Sequence, residues 1–242
     1  MTDLAPRSLG DIVASRPGAA RVFDRVGIGY CCHGGRSLAD ACAAAGLEPE
    51  LLAAELGALG SHTDTDWASV PPAALTDHIV STHHVYLRDE LPLLEALATK
   101  VDDAHRTRHP ELVKVHALVA ELRADLEPHL DREERVLFPA IRRVVTEGST
   151  EFPFGSVANP IGVMIVEHDR AGELLADLRR ATGDYQVPAD GCASYLSLYQ
   201  RLEKLEHDTH VHIHKENHVL FPAALHEWDK LTGDRRETPR GV

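Results

Sequence analysis

His129-Leu-Asp-Arg-Glu133-Glu-Arg-Val-Leu137-Phe138-Pro139 and His212-Ile-His-Lys-Glu216-Asn-His-Val-Leu220-Phe221-Pro222 share the pattern H-x-x-x-E-x-x-V-L-F-P at a constant offset of 83 residues. Six matching positions at one offset mark an internal repeat. On an α-helix, residues i and i+4 lie on one face with Cβ atoms roughly 6 Å apart. Each copy therefore sets an imidazole nitrogen beside a carboxylate. Two copies on two helices of a bundle surround one point with two imidazoles and two carboxylates. A carboxylate has two oxygens and is able to bridge two metal ions, which sit about 3.5–4 Å apart in di-metal centres. The Leu-Phe-Pro after each glutamate reads as apolar packing that seals the site, followed by a helix kink at proline.

Working outward, helical apolar spacing runs over four segments, roughly 73–100, 109–147, 159–182 and 190–230. Breakers separate them: Gly148, Pro153, Gly155 and Pro160 in one gap, Gly183, Pro188 and Gly191 in another. No strand-like alternation persists. Short connections between long amphipathic helices predict an all-α, up-and-down four-helix bundle. Its other two helices are expected to complete the site. The third segment holds one histidine, His168; the first holds His78, His83 and His84. The interval from His84 to His129 is 45 residues and from His168 to His212 it is 44. That near-equality makes the chain two related helix pairs and selects His84, with His83 its competitor. The expected ligands are His84, His129, Glu133, His168, His212 and Glu216. Mixed nitrogen and oxygen donors with open positions suit iron first and manganese second; zinc also takes such ligands.

Further residues are weighed around this set. Glu134 is expected on the rim; Glu167 and Asp169 are weighed as acceptors for ligand imidazoles, a role that is not the favoured reading for either. His210, His214 and His218 form an i, i+4, i+8 row beside His207 and are expected to be a solvated polar face. Sixteen histidines in 242 residues make histidine, the commonest metal ligand, the outlier of the composition. The formal charge of −13 argues against nucleic acid and anionic membranes as partners. No apolar run reaches the roughly 18 residues of a membrane span, and the start of the chain lacks a signal-peptide pattern. Four cysteines, two of them adjacent, do not suggest a disulfide framework, and a reducing cytoplasm is the expected compartment.

Residues 1–62 read as a small helical domain, 63–72 as a polar linker ending in Pro71-Pro72, 73–230 as the bundle and 231–242 as a tail. Ser8-Leu-Gly-Asp11 is a capping-box-like helix start. Ser15-Arg-Pro17 is expected to open the next helix, and helices over about 37–45 and 49–59 follow. Gly27-Ile-Gly-Tyr-Cys31-Cys32-His33-Gly-Gly35 is read as a loop. Its Cys31 and Cys32, beside Tyr30 and His33, are candidates for exposed reactive or metal-binding thiols; Cys42 and Cys192 are expected to be structural.

These motifs together resemble a known family. The bundle is similar to a hemerythrin-like domain, and Tyr30-Cys31-Cys32-His33-Gly34-Gly35 resembles the ScdA-type N-terminal domain. That order resembles the iron-sulfur cluster repair di-iron proteins, or repair of iron centres, over roughly residues 5–228. The resemblance implies a stress-linked cytoplasmic protein that restores iron-sulfur clusters damaged by oxidants or nitric oxide. It implies two non-haem irons in a carboxylate-bridged, oxo-bridged centre held by the same six residues, and maps the family's paired cysteines, with a catalytic role, to Cys31 and Cys32. Its partners would be damaged iron-sulfur proteins or a cluster-assembly scaffold, with nitric oxide and oxygen as small ligands; whether the chain forms a homodimer is left open.

Oxygen-carrying hemerythrins have HxxxH on helix three and HxxxxD on helix four. Here the corresponding positions are Gly172 and Asn217. One nitrogen ligand is missing and the second carboxylate has a different register, which disfavours a reversible oxygen carrier. No Glu-x-x-His occurs, so the ferritin-like pattern is absent. An oxygen or nitric oxide sensor or carrier, and a nitric oxide or peroxide reductase, are the alternative functions.

Overall fold

Apolar residues recurring every three to four positions bury one stripe of each long segment, and in a computed structural model all four segments are helical. The structure describes residues 4–16, 18–31, 34–59 and 67–233. In the N-terminal part the helices are α1 (Leu9–Ser15), α2 (Ala19–Arg25), α3 (Leu38–Ala45) and α4 (Pro49–Ala58). The first long rod comprises α5 (Pro72–Ile79), a π-turn over Val80–His84 and α6 (Val85–His105). The second comprises α7 (Glu111–Arg132), a π-turn over Glu133–Leu137 and α8 (Phe138–Glu147). The third is α9 (Ala158–Ala181). The fourth comprises α10 (Ala193–Lys215), a π-turn over Glu216–Leu220 and α11 (Phe221–Gly233). The rods pack in a ring, α6 against α7, α7 against α9, α9 against α10 and α10 against α6. This is the expected up-and-down four-helix bundle, and no named strand occurs among the described residues. Nor is any helix among them long and apolar enough to cross a membrane.

The helix continues through both Leu-Phe-Pro motifs by way of a π-turn. Pro139 and Pro222 lack a backbone N–H, and in a regular helix each ring would press on the carbonyl four residues back. The helix instead widens by one residue just ahead of the proline. Phe138 N–H donates to the Glu133 carbonyl and Phe221 N–H to the Glu216 carbonyl, both five residues back. The first rod has the same i to i−5 bond, from Val85 N–H to the Val80 carbonyl. Such insertions are frequent at functional sites. Here all three lie at one level of the bundle.

That level separates two apolar layers. One holds Leu87, Leu91, Leu122, Leu130, Ala171, Leu174, Leu198 and Ile213 among others. The other holds Ile79, Leu137, Phe138, Met164, Leu220 and Phe221. A third cluster, centred on Leu9, Phe23, Tyr30, Leu38 and Leu56, belongs to the N-terminal helices. Ser8 caps α1 by accepting from Asp11 N–H at 3.1 Å, as its sequence predicts. Ser37 caps α3 in the same way from Asp40 N–H. Ser15, expected to start α2, is instead the last residue of α1, and α2 opens at Ala19. The expected linker is described only from Trp67, in a single 3-10 turn, to the start of α5 at Pro72; residues 63–66 and the tail from 234 lie outside the described residues.

The histidine row on the fourth rod is a docking face rather than a solvated one. Asp24 of α2 accepts from His207 Nδ1 at 2.6 Å and His210 Nδ1 at 2.8 Å. Burial works against the Asp24 charge, but these two hydrogen bonds hold its carboxyl below the usual range. His214 is buried beside Tyr30 and His218, its pKa pushed down to about 3 by that burial. His218 Nε2 donates to the Cys31 carbonyl at 3.0 Å. Its ring fits because Gly10 and Gly34 have no side chains; a Cβ at Gly34 would collide with both His218 Nε2 and the Tyr30 carbonyl. Gly34→Ala is expected to cost about 1–3 kcal/mol in denaturant unfolding and to speed alkylation of Cys31. Unchanged stability and labelling would show that this contact does not hold the loop.

Candidate metal centre

Four rods place six side chains at the level of the π-turns. His84 closes the turn on the first rod, Glu133 and Glu216 open the turns on the second and fourth, and His129 and His212 stand one helical turn before those glutamates. His168 comes from the middle of α9. All six are 3% exposed or less, and both glutamates are fully buried. Their donor atoms form two groups that share both carboxylates: His84, His212, Glu133 and Glu216, and His129, His168, Glu133 and Glu216, each with all atoms within 4.8 Å of one another. Glu133 Oε2 is 3.3 Å from His84 Nε2 and 3.4 Å from His129 Nε2. Glu216 Oε1 is 3.1 Å from His212 Nε2, and its Oε2 is 3.1 Å from His168 Nε2. His84 Nε2 and His212 Nε2 face each other at 3.2 Å.

Both Glu133 oxygens and Glu216 Oε2 lack a hydrogen-bond partner of good geometry among the described residues. Uncompensated buried carboxylates are expensive. Converging, deprotonatable nitrogens and orphaned anionic oxygens are what a pair of cations would satisfy, so these residues fit a metal centre. Without a cation the cluster compensates with protons. Burial opposes a charge on His168, but the Glu216 carboxylate 3.1 Å away, with Glu133 beside it, outweighs it and raises the pKa to about 9. The same balance raises His84, through Glu133. Glu216 is held far below its usual value: burial would raise it, and His212 and His168 overcome that.

Three of the four imidazoles are fixed from behind. His84 Nδ1 donates to Glu134 at 2.9 Å and His129 Nδ1 to Glu167 at 2.8 Å. Arg88 and Arg132 in turn hold those carboxylates, at 3.1 Å and 2.6 Å. His168 Nδ1 donates to Asn217 Oδ1 at 2.9 Å. In each case the partner holds a proton on Nδ1, which aims Nε2 into the cluster, where a cation would take the place of any proton on it. Glu167 is thus an acceptor, the less favoured of the two readings the sequence offered. Glu134, expected on the rim, has the same role, whereas Asp169 meets no ligand imidazole among the described residues. Phe138 stacks on His84 at 5.5 Å and Phe221 on His168 at 5.9 Å, so the repeat's phenylalanines close the site symmetrically.

His83, the competitor of His84, points elsewhere. Its Nδ1 donates to Asp208 at 3.0 Å, its Nε2 accepts from Lys215 Nζ at 2.8 Å, and its ring lies parallel to His212 at 5.3 Å. Burial takes its pKa down to about 4. Lys215 is buried too, donates also to His78 Nε2 at 2.8 Å and sits 4.1 Å above the Trp67 ring. Nothing in the spacing of the sequence pointed to this buried lysine.

The thiols differ from expectation. Cys31 is buried, not exposed, and Cys32 and His33 lie outside the described residues. The Cys31 carbonyl accepts from Asn217 Nδ2 at 3.3 Å, so one amide joins the loop to His168. Beside the loop is a cavity of about 870 Å³ lined by Cys31, Asp169, Gly172, Arg179 and His210, and by none of the six expected ligands. Asn217, missed as a functional residue, occupies the helix-four position at which oxygen carriers have an aspartate. Replacing Asn217 by alanine is expected to weaken metal binding about 10–100-fold in competition with a chelator, while Asp169→Ala leaves it within twofold. Equal affinities for both variants would count against the supporting role of Asn217.

Comparison with known proteins agrees with this architecture. Residues 75–224 match the model of the hemerythrin HHE cation binding domain, and residues 5–60 match a domain of unknown function, DUF542. The chain is 36% identical over 219 residues, 90% of this chain and 96% of the relative, to the iron-sulfur cluster repair protein YtfE of Escherichia coli O17:K52:H18 (strain UMN026 / ExPEC). The same figures hold for the proteins of that name from Shigella boydii serotype 4 (strain Sb227) and Escherichia coli (strain K12 / DH10B). With its buried histidine–glutamate cluster at the centre of the matched region, the chain belongs to the hemerythrin HHE cation-binding family, in the group that joins this domain to an N-terminal DUF542 segment.

Proposed function

We propose that this chain repairs iron-sulfur clusters with a two-iron centre held by His84, His129, Glu133, His168, His212 and Glu216. The observation that carries the reading is the sharing of both buried glutamates by two histidine pairs, in a chain 36% identical to iron-sulfur cluster repair proteins along nearly its whole length. His84 and His212 would hold one iron and His129 and His168 the other, with Glu133 and Glu216 able to bridge them. Two nitrogens and two shared carboxylates would leave open positions on an iron held there. Bound there, iron would supply a redox-active centre with open positions for a small molecule, or a store of metal to release.

The protein's own groups prepare that centre. Glu134, Glu167 and Asn217 hold protons on the outer imidazole nitrogens. Phe138 and Phe221 exclude water from one side. The missing fifth histidine, at Gly172, favours reactive chemistry or iron release over reversible oxygen carriage. Residues 1–62 form, in this reading, a small unit whose Cys31-Cys32 segment receives a damaged client, or passes iron or electrons to it. Support comes from its own apolar cluster and from family matches that divide between residues 60 and 75.

The test is repair of an iron-sulfur enzyme inactivated by nitric oxide or peroxide. The full chain, loaded with iron, is expected to contain two irons and to restore activity. The Glu133→Ala, Glu216→Ala double variant is expected to lose both iron and repair. One metal per chain, or zinc in preference to iron, would refute the two-iron centre. An iron-loaded protein that restores nothing would refute the repair function. Iron donation predicts that metal leaves the protein as activity returns; nitric oxide handling predicts that it stays.

A further inference from the structure

At the end of the bundle far from the metal centre, a second group of chemistry-bearing side chains converges. Cys192 occupies the N-cap position of α10, a 23-residue helix, and is exposed. Its sulfur is 3.2 Å from His105 Nε2, at the last residue of α6. His105 is itself 8% exposed, and its Nδ1 has no hydrogen-bond partner among the described residues. The imidazole is wedged edge-on against Tyr195 at 5.5 Å, so its one polar contact to the outside is the thiol. His109, at 6.3 Å from the His105 ring, is occupied by Asp190 at 2.9 Å and Glu111 at 3.2 Å and does not compete for the sulfur. The sequence reading of Cys192 as structural is therefore overturned by its position: it is on the surface, backed by a buried base and the positive end of a long helix.

We propose that Cys192 and His105 form a reactive thiol site for small disulfides, at which Cys192 is converted to a mixed disulfide. The step needs no oxidant beyond the disulfide. His105 Nε2 takes the thiol proton; the Cys192 thiolate attacks one sulfur of R–S–S–R; a Cys192–S–S–R bond forms as the R–S–S–R bond breaks. The leaving R–S⁻ takes the proton from His105 and departs as R–SH. The backbone at the start of α10 first, and His105 next, lower the Cys192 pKa to about 7, against the ordinary value for a cysteine. Helix N-termini and neighbouring histidines act in this direction on thiols elsewhere. Buried Cys42 has the opposite shift, upwards through desolvation. The helical rise puts His105 about 30 Å from His84, so this site is independent of the proposed iron chemistry.

The test is alkylation of the metal-loaded full chain by iodoacetamide across pH 5.5–9.5, read at Cys192 by peptide mass, and adduct formation with glutathione disulfide at pH 7. The Cys192 rate is expected to rise through a midpoint near pH 7 and be flat above about pH 8, whereas an unassisted cysteine keeps rising through about pH 8.5. His105→Gln is expected to move the midpoint up by about one unit and slow adduct formation several-fold at pH 7, with metal content unchanged. Cys192→Ser should remove the adduct. A wild-type midpoint at 8.5 or above refutes the site, and so does glutathione adduction confined to other cysteines. An unchanged midpoint in His105→Gln refutes the pairing and leaves the helix terminus alone. Should His105→Gln fail to fold, the wild-type midpoint still decides.

Discussion

Two carboxylates without solvent exposure, Glu133 and Glu216, stand between four imidazoles at mid-height in the bundle, and the rest of the molecule is arranged around what that costs. A bare buried carboxylate is far more costly than the few kcal/mol by which a domain is stable. The compensation is built in shells. Imidazoles converge on the oxygens, Glu134, Glu167 and Asn217 fix those imidazoles, and Arg88 and Arg132 fix two of these acceptors from the surface. Apolar layers above and below keep the ensemble dry. Because the arrangement needs cations or protons to be neutral, the same feature that threatens the fold makes the protein a metal binder.

The π-turns are the mechanical counterpart of this charge problem. A π-turn begins at each glutamate and ends just ahead of Phe138-Pro139 and Phe221-Pro222, where the missing proline N–H is accommodated. The repeated sequence thus carries its own backbone distortion along with its ligands. Each copy delivers histidine, glutamate, wide turn and capping phenylalanine as one unit, and the up-and-down ring sets the two units diagonally across the bundle on rods that run in the same direction.

The N-terminal helices are tied to the same level through the fourth rod. Asp24 between His207 and His210, and His218 against the Cys31 carbonyl, hold them there. Asn217 touches both the Cys31 carbonyl and His168, so the loop and the metal centre share one amide. At the opposite end, the Cys192–His105 pair is separated from all this by the apolar layer. The bundle therefore insulates two polar sites of different character along one axis.

The sequence by itself determined the bundle, the repeat and the six side chains that converge, because helical periodicity turns spacing into a shared face and two copies at one offset leave little freedom. His84 could be chosen over His83 from interval alone, since the two helix pairs are related. What the sequence left undecided are contacts between residues far apart in the chain. His84 meets Glu134 across 50 residues, His168 meets Asn217 across 49 and Asp24 meets His210 across 186. The histidine row on the fourth rod looked solvated because an i, i+4, i+8 pattern of polar residues is the same whether it faces water or a docked domain. Cys192 looked structural because exposure and a partner 87 residues away are both products of packing. Local spacing is set by the helix itself, but burial and cross-chain pairing depend on how the helices pack, and only the tertiary structure decides them.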